Sequence, residues 1–215
     1  MFFQEDLDEA WKKIKFAIDE LGDRFFPSTS GNISIRIGDL VYCTPTSVRK
    51  RNLVRDMISV VNFENELLGG FKQTSEINLH LELYKNFEDV NFVVHTHPMY
   101  CVIFSCTNRK IKLDLLPEYY VKIRQIVYVK YVTPGTEILA FEVVKNIKKI
   151  LGNVKEGVVI LRNHGLVVFS YDFKRCVDLT FCVEEIAKIN YFLLILGNHK
   201  RIPRKMLSFL SKYFY

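Results

Sequence analysis

Several protein classes are excluded by what this 215-residue chain lacks. No apolar run is long enough to span a bilayer; the nearest, "INYFLLILG", is short and reads as the buried end of a helix, so no membrane partner is expected. The opening "MFFQEDLDEAWKKIKF" has no extended apolar stretch behind a positive start, which speaks against a signal peptide. Low-complexity blocks, repeats and linkers are missing, so a single domain spanning residues 1–215 is expected. Cys43, Cys101, Cys106, Cys176 and Cys182 are odd in number and form no C-x-x-C pair. Reduced thiols in a cytoplasmic protein, most of them small core residues, are the expectation. Acidic charge is in deficit, leaving a formal net charge of +6. That excess suits an anionic ligand. The basic residues alternate with acids and apolar side chains and no recognition motif accompanies them, so a nucleic-acid partner is not expected.

What is present alternates between two periodicities. Leu7, Trp11, Ile14, Ile18 and Leu21 recur at helical spacing from about Glu5, and Gly22 is expected to end that helix. "NISIRI" alternates with period two and reads as a strand, turned by Gly38-Asp39 into a second, "LVYCT"; "MISVVNF" is a third. "TSEINLHLELYKNF" puts Ile77, His80, Leu81 and Tyr84 on one helical face. "NFVVHTH" is a buried strand by its β-branched run, and "IVYVKYV" another, stopped at Thr133-Pro134-Gly135. "TEILAFEVVKNIKKIL" is an amphipathic helix with lysines in its last turn, and "GVVILRNHGLVVFS" reads as strand, turn and strand. A long helix from about Asp172 to Leu196 follows, then a basic, aromatic tail. Strands and helices interleave, and short turns join several strands. This predicts a layered α/β domain around a mixed sheet.

Histidine is scarce, with five residues, yet two stand as His95-x-His97 in "VVHTHP". Side chains two apart on a strand point the same way, so both imidazoles face one side where Pro98 breaks the ladder. Neutral imidazole is a common zinc ligand, and catalytic zinc sites use three protein ligands with an open position. A histidine pair hydrogen-bonded at a strand end is the competing account. His164 lies in a glycine-bearing turn between two very apolar strands, a position where ligating and catalytic groups concentrate. His80 reads as a core histidine with a hydrogen bond, and His199 as solvent-facing. Glu76 opens a helix after Thr74-Ser75, where a carboxylate either suits the helix dipole or stands beside a metal to ligate it or move protons. "STSGNIS", "TPTS" and "TSE" put hydroxyls and small residues at element boundaries, the donors a phosphate needs.

Taken in order, "TSGNISIR", "CTPTSVRKRNL", "QTSEINLH", "VVHTHPMYC" and "LRNHGLVVF" resemble the class II aldolase and adducin family. The resemblance implies a three-layer α/β/α domain around a mostly antiparallel mixed sheet, assembled as a homotetramer. It implies a divalent metal, normally zinc (one Zn2+ per chain), held by His95, His97 and His164, with Glu76 as a nearby carboxylate that ligates or transfers protons. It implies a phosphate pocket from Gly31, Asn32, Thr46, Ser47, Thr74 and Ser75. The expected activity is that of an aldehyde-lyase, reversibly splitting a phosphorylated ketose into dihydroxyacetone phosphate and an aldehyde through a metal-stabilised enediolate. Relatives also use a tyrosine from a neighbouring subunit as a proton donor, for which Tyr120 or Tyr119 is the candidate. Ser47 departs from the glycine usual in the aldolases. The family also contains sugar-phosphate 4-epimerases, a dehydratase and non-catalytic adducin-like proteins. Glu76 resembles the aldolases, since the epimerases place an aspartate there, and an adducin-like role predicts missing ligands. The tail "MLSFLSKYFY" is expected to dock as a helix through Met206, Leu207 and Leu210, or to cover a site.

Overall fold

The computed structural model describes residues 4–197 and 199–213. Eight strands run in chain order: β1 (Asn32–Ile37), β2 (Leu40–Cys43), β3 (Ser59–Val61), β4 (Leu67–Gly69), β5 (Phe92–Thr96), β6 (Ile126–Val129), β7 (Glu156–Leu161) and β8 (Gly165–Ser170). They form one sheet of order β4-β3-β2-β1-β5-β8-β7-β6. Every neighbouring pair is antiparallel except β6 and β7, which are parallel. That parallel pair needs a crossover, supplied by helix α5 (Glu137–Leu151). The mixed sheet read from the pattern, and the mostly antiparallel pairing implied by the resemblance, are the ones observed.

Helices cover both faces, which is why the central strands carry unbroken apolar runs rather than alternation. All of β5 and β8 is buried. One core layer joins Ile33, Ile35, Phe92 and Val94 to α1 (Gln4–Phe25) and α6 (Phe173–Leu196). The other joins Val93, Val167 and Phe169 to α2 (Ile77–Asn86) and α5. Each large aliphatic or aromatic side chain removed from water contributes about 1.5–3 kcal/mol. N-caps open α5 and α6: Thr136 accepts from the Leu139 N–H and Asp172 from the Arg175 N–H.

Several boundaries differ from expectation. Gly22 interrupts α1 with φ +63 and a turn follows to Phe25, so it breaks the helix without ending it. β3 covers only Ser59–Val61 and hairpins with β4, a strand whose partly exposed "LLG" carries no alternation to reveal it. β6 stops at Val129, before the expected end of "IVYVKYV". Two short helices, α3 (Met99–Ser105) and α4 (Pro117–Ile123), were hidden by their length, too short for periodicity to register. The tail forms α7 (Arg204–Tyr213), but Met206 is exposed while Leu207 and Leu210 are half-buried, so docking rests on the leucines. The last two residues of "MLSFLSKYFY" lie outside the described residues. His199 is half-buried with Nε2 3.2 Å from Lys112 Nζ rather than facing solvent.

Candidate metal centre and anion cleft

Antiparallel pairing brings distant parts of the chain to one end of the sheet. The start of β1 lies beside the end of β5, with Asn32 opposite His95. The start of β8 lies beside the same end, with Leu166 opposite Thr96. The three-residue turn between β7 and β8 therefore delivers His164 to the β5 histidines, Asn163 taking the positive φ of 53° that such a turn requires.

The three rings converge through one nitrogen each. His95 Nε2 is 2.9 Å from His97 Nε2 and 3.1 Å from His164 Nε2. His95 is fully buried, and its Nδ1–H donates to the Leu166 carbonyl at 2.9 Å. In the neutral ring this leaves the Nε2 lone pair facing the other two. Burial, with His95 nearby, pulls His97 down to about 3 and His164 to about 4, so both stay in the neutral, ligating form. Burial also pulls His95 down, but the Glu76 carboxylate outweighs it and the net direction is upward. Three lone pairs this close repel one another unless a cation lies between them. A tetrahedral ion bonded to nitrogens at 2.0–2.1 Å sets them about 3.3 Å apart. The donor set and its spacing therefore fit a divalent metal. Among the described residues these histidines are the group with ligand atoms mutually within 4.8 Å.

Glu76 borders the triad as the N-cap of α2, only 7% exposed. Its Oε2 lies 3.0 Å from His95 Nε2 and accepts from Asn32 Nδ2 at 3.1 Å; its Oε1 lies 3.4 Å from His164 Nε2. Burial alone would raise this carboxyl, yet His95, His164 and the Asn32 amide hold it well below the usual carboxylate range.

A cleft of about 220 Å³ opens from this group and contains the expected pocket residues. Gly31, Asn32, Thr46, Ser47, Thr74 and Ser75 all line it, together with Glu76, His97 and His164. Gly31 has φ +71, and a Cβ there would lie 2.7 Å from the His95 carbonyl oxygen, so only glycine fits. Ser47 also has positive φ, 59°. Glycine takes that conformation freely, whereas serine bears about 1–2 kcal/mol. Neither Tyr119 nor Tyr120, both on α4, lines this cleft within the chain.

Two residues escaped the sequence reading. Lys50 is 3% exposed, and its Nζ donates to the carbonyls of Thr29 and Val48 at 3.0 and 3.2 Å, tying together the two loops of the cleft. Burial pulls its ammonium down to about 8. A lysine between two arginines in "VRKRN" gives no hint of burial. Gly165 is the second: a Cβ there would lie 2.7 Å from both His97 Cδ2 and the Thr96 carbonyl oxygen. Gly165→Ala is therefore expected to displace the His97 ring and lower metal affinity about 10–100-fold, read by titrating the apoprotein with zinc against a competing chelator.

The Class II Aldolase and Adducin N-terminal domain family matches residues 21–191. An L-fuculose phosphate aldolase of Methanococcus maripaludis is 35% identical over 188 residues, covering 87% of this chain and 97% of the relative. A 3-oxo-tetronate 4-phosphate decarboxylase of Haemophilus influenzae is 31% identical, covering 76% and 78%. Among solved structures, an L-fuculose 1-phosphate aldolase superposes with TM-score 0.81 at 20% identity, covering 100% of this chain and 98% of that one. The chain belongs to the class II aldolase and adducin family. Members named in these comparisons are predominantly lyases acting on phosphorylated sugars or sugar acids.

Proposed function

We propose that the chain is a single catalytic domain and a zinc-dependent aldolase, cleaving L-fuculose 1-phosphate or a close relative to dihydroxyacetone phosphate and an aldehyde. The observation that carries the reading is the convergence of three imidazole nitrogens beside a buried carboxylate at the end of a hydroxyl-lined cleft. His95, His97 and His164 would hold the metal, which when bound supplies a Lewis acid for the substrate carbonyl. Thr46, Ser47, Thr74 and Ser75, with the backbone at Gly31-Asn32, would receive the phosphate and orient the reacting carbons. Lys50, a buried cation with no carboxylate among its hydrogen-bond partners in the described residues, would supply positive charge behind those loops. Glu76 would take the proton from the carbon beside the carbonyl in the synthetic direction and return it in cleavage.

A homotetramer in the cytoplasm completes this reading. Ile138 and Phe141 on α5, at 66% and 61% exposure, suit surfaces buried between copies. Among the described residues no helix is long and apolar enough to cross a membrane. The named decarboxylase relative favours a second reading on the same site, in which a phosphorylated 3-oxo acid loses carbon dioxide. One experiment separates the two. Zinc-loaded protein is given L-fuculose 1-phosphate and, separately, 3-oxo-tetronate 4-phosphate, with dihydroxyacetone phosphate and carbon dioxide measured. Dihydroxyacetone phosphate from the first substrate is the expected result. Carbon dioxide from the second alone would replace the aldolase reading, and turnover of neither would overturn both.

A further inference from the structure

A buried polar chain leads away from Glu76 between β1 and α2. Asn32 and Ser34 stand two apart on β1, and Glu76, His80 and Tyr84 stand four apart along the α2 face opposite, so strand and helix periods interleave them. Asn32 is 4% exposed, Ser34 and His80 are fully buried and Tyr84 is 1% exposed. The contacts are continuous. Tyr84 OH and Ser34 Oγ are 2.6 Å apart, Ser34 Oγ and His80 Nδ1 2.6 Å, and His80 Nε2 and Asn32 Oδ1 2.6 Å. Asn32 Nδ2 then donates to Glu76 Oε2 at 3.1 Å.

The direction of every bond follows from the Asn32 contacts. Its Nδ2 donates to Glu76 Oε2, which leaves its Oδ1 facing His80 Nε2 at 2.6 Å. That oxygen needs a donor, which fixes His80 as the Nε2–H tautomer. Nδ1 is then an acceptor and takes the single Ser34 hydrogen, leaving Ser34 Oγ to accept from Tyr84. Burial keeps both ends of the argument in place: it pulls His80 down to about 3, so the ring stays neutral, and holds the Tyr84 phenol well above its usual range, so it keeps its proton. The hydrogen bonds all point one way, and bonds aligned in series in a dry interior strengthen one another.

Resting on the aldolase reading, we propose that this relay, with His80 as its positioning residue, anchors Glu76 by Oε2 and so reserves Oε1 for proton transfer to and from the substrate. Oε1 has no hydrogen-bond partner among the described residues and stands on the His164 side, while Oε2 is held by Asn32. Turning the carboxylate out of this pose would break the Asn32 bond. Loss of the Asn32–His80 link frees the amide to rotate, so the carboxylate spends less time in the productive pose.

The test compares two polar replacements in the zinc-loaded, full-length protein. His80→Gln keeps an N–H donor near the position of Nε2, whereas His80→Asn reaches only the position of Nδ1 and leaves Asn32 Oδ1 without a donor. His80→Asn is expected to lose about 10–100-fold in kcat on L-fuculose 1-phosphate with KM and zinc content unchanged, and His80→Gln to stay within about threefold of the parent. Equal losses in both, or losses confined to KM or zinc content, would overturn the relay. A second readout needs neither turnover nor substitution. Nitrogen-15 NMR of labelled histidines in the parent protein should show His80 as a neutral Nε2–H tautomer; the Nδ1–H tautomer, or exchange between the two, would overturn the assignment. Should the parent cleave no sugar phosphate, the aldolase reading falls while the tautomer still decides the direction of the chain.

Discussion

His95→Ala is expected to abolish metal retention and activity together. His95 is the central member of the triad: its Nε2 lies within about 3 Å of both other ring nitrogens and of Glu76 Oε2, and its Nδ1–H is locked to the Leu166 carbonyl. Removing it leaves two ligands, below the three that catalytic zinc sites employ, and takes away one of the groups that hold Glu76 ionised. Lewis-acid polarisation is worth several kcal/mol, which corresponds to a rate loss on the order of a thousandfold or more. Elemental mass spectrometry of the purified variant should find zinc absent, against about one per chain in the parent, and cleavage should fall with it. Full activity in a zinc-free variant would sink the metal-dependent reading. The site is also the place where folding and function compete, because the variant leaves a cavity at a fully buried position. Circular dichroism should therefore accompany the assay, to show that the loss is not unfolding.

Glu76→Gln tests a different property of the same site. Glutamine keeps the volume of the carboxylate and still presents an oxygen to Asn32 Nδ2, but it neither carries the negative charge nor takes a proton. The expected result is a loss of about 10²–10⁴-fold in kcat, the usual contribution of a positioned acid–base group, with KM little changed and the zinc content intact. Retention of zinc matters as much as the loss of rate. If the variant lost zinc in proportion to activity, Glu76 would be acting as a ligand rather than as the proton carrier. Together the two variants separate the proposed metal-holding role from the proposed proton transfer, assigned to groups within 3.4 Å of each other.

Much of this site was readable in the chain itself, for identifiable reasons. Strand period two makes His95-x-His97 a pair on one side wherever the strand ends, and the β-branched run before it marks the strand as buried. Hydroxyl- and glycine-rich stretches announced the loops that line the cleft, since those residue types tolerate tight turns and expose donors. A carboxylate after Thr74-Ser75 marked the start of α2, because the free N–H groups of a helix start favour anions. The helices α1, α2 and α5 were legible by apolar periodicity over several turns. The short elements were not: α3 and α4 span seven residues each, too few for one face to be distinguished from another.

The remainder depended on contacts that no local pattern encodes. His164 is separated from His95 by 69 residues, and only the antiparallel placement of β8 beside β5 brings their nitrogens to 3.1 Å. Period and composition are local properties of the chain, whereas strand order is settled by how two apolar faces of the sheet are covered at once. The same packing drew Lys50 inward against two carbonyls, set Gly165 where no Cβ fits beside His97, and faced Asn32 and Ser34 toward His80 and Tyr84. From the sequence alone His80 was a polar ring on an apolar helix face, in need of a partner it could not name. The sequence by itself determined which residue types were available for metal, phosphate and proton chemistry and on which local faces they stood. Only the tertiary structure decided which of them meet, because burial and sheet pairing, acting over the whole chain, choose the partners of each polar group taken out of water.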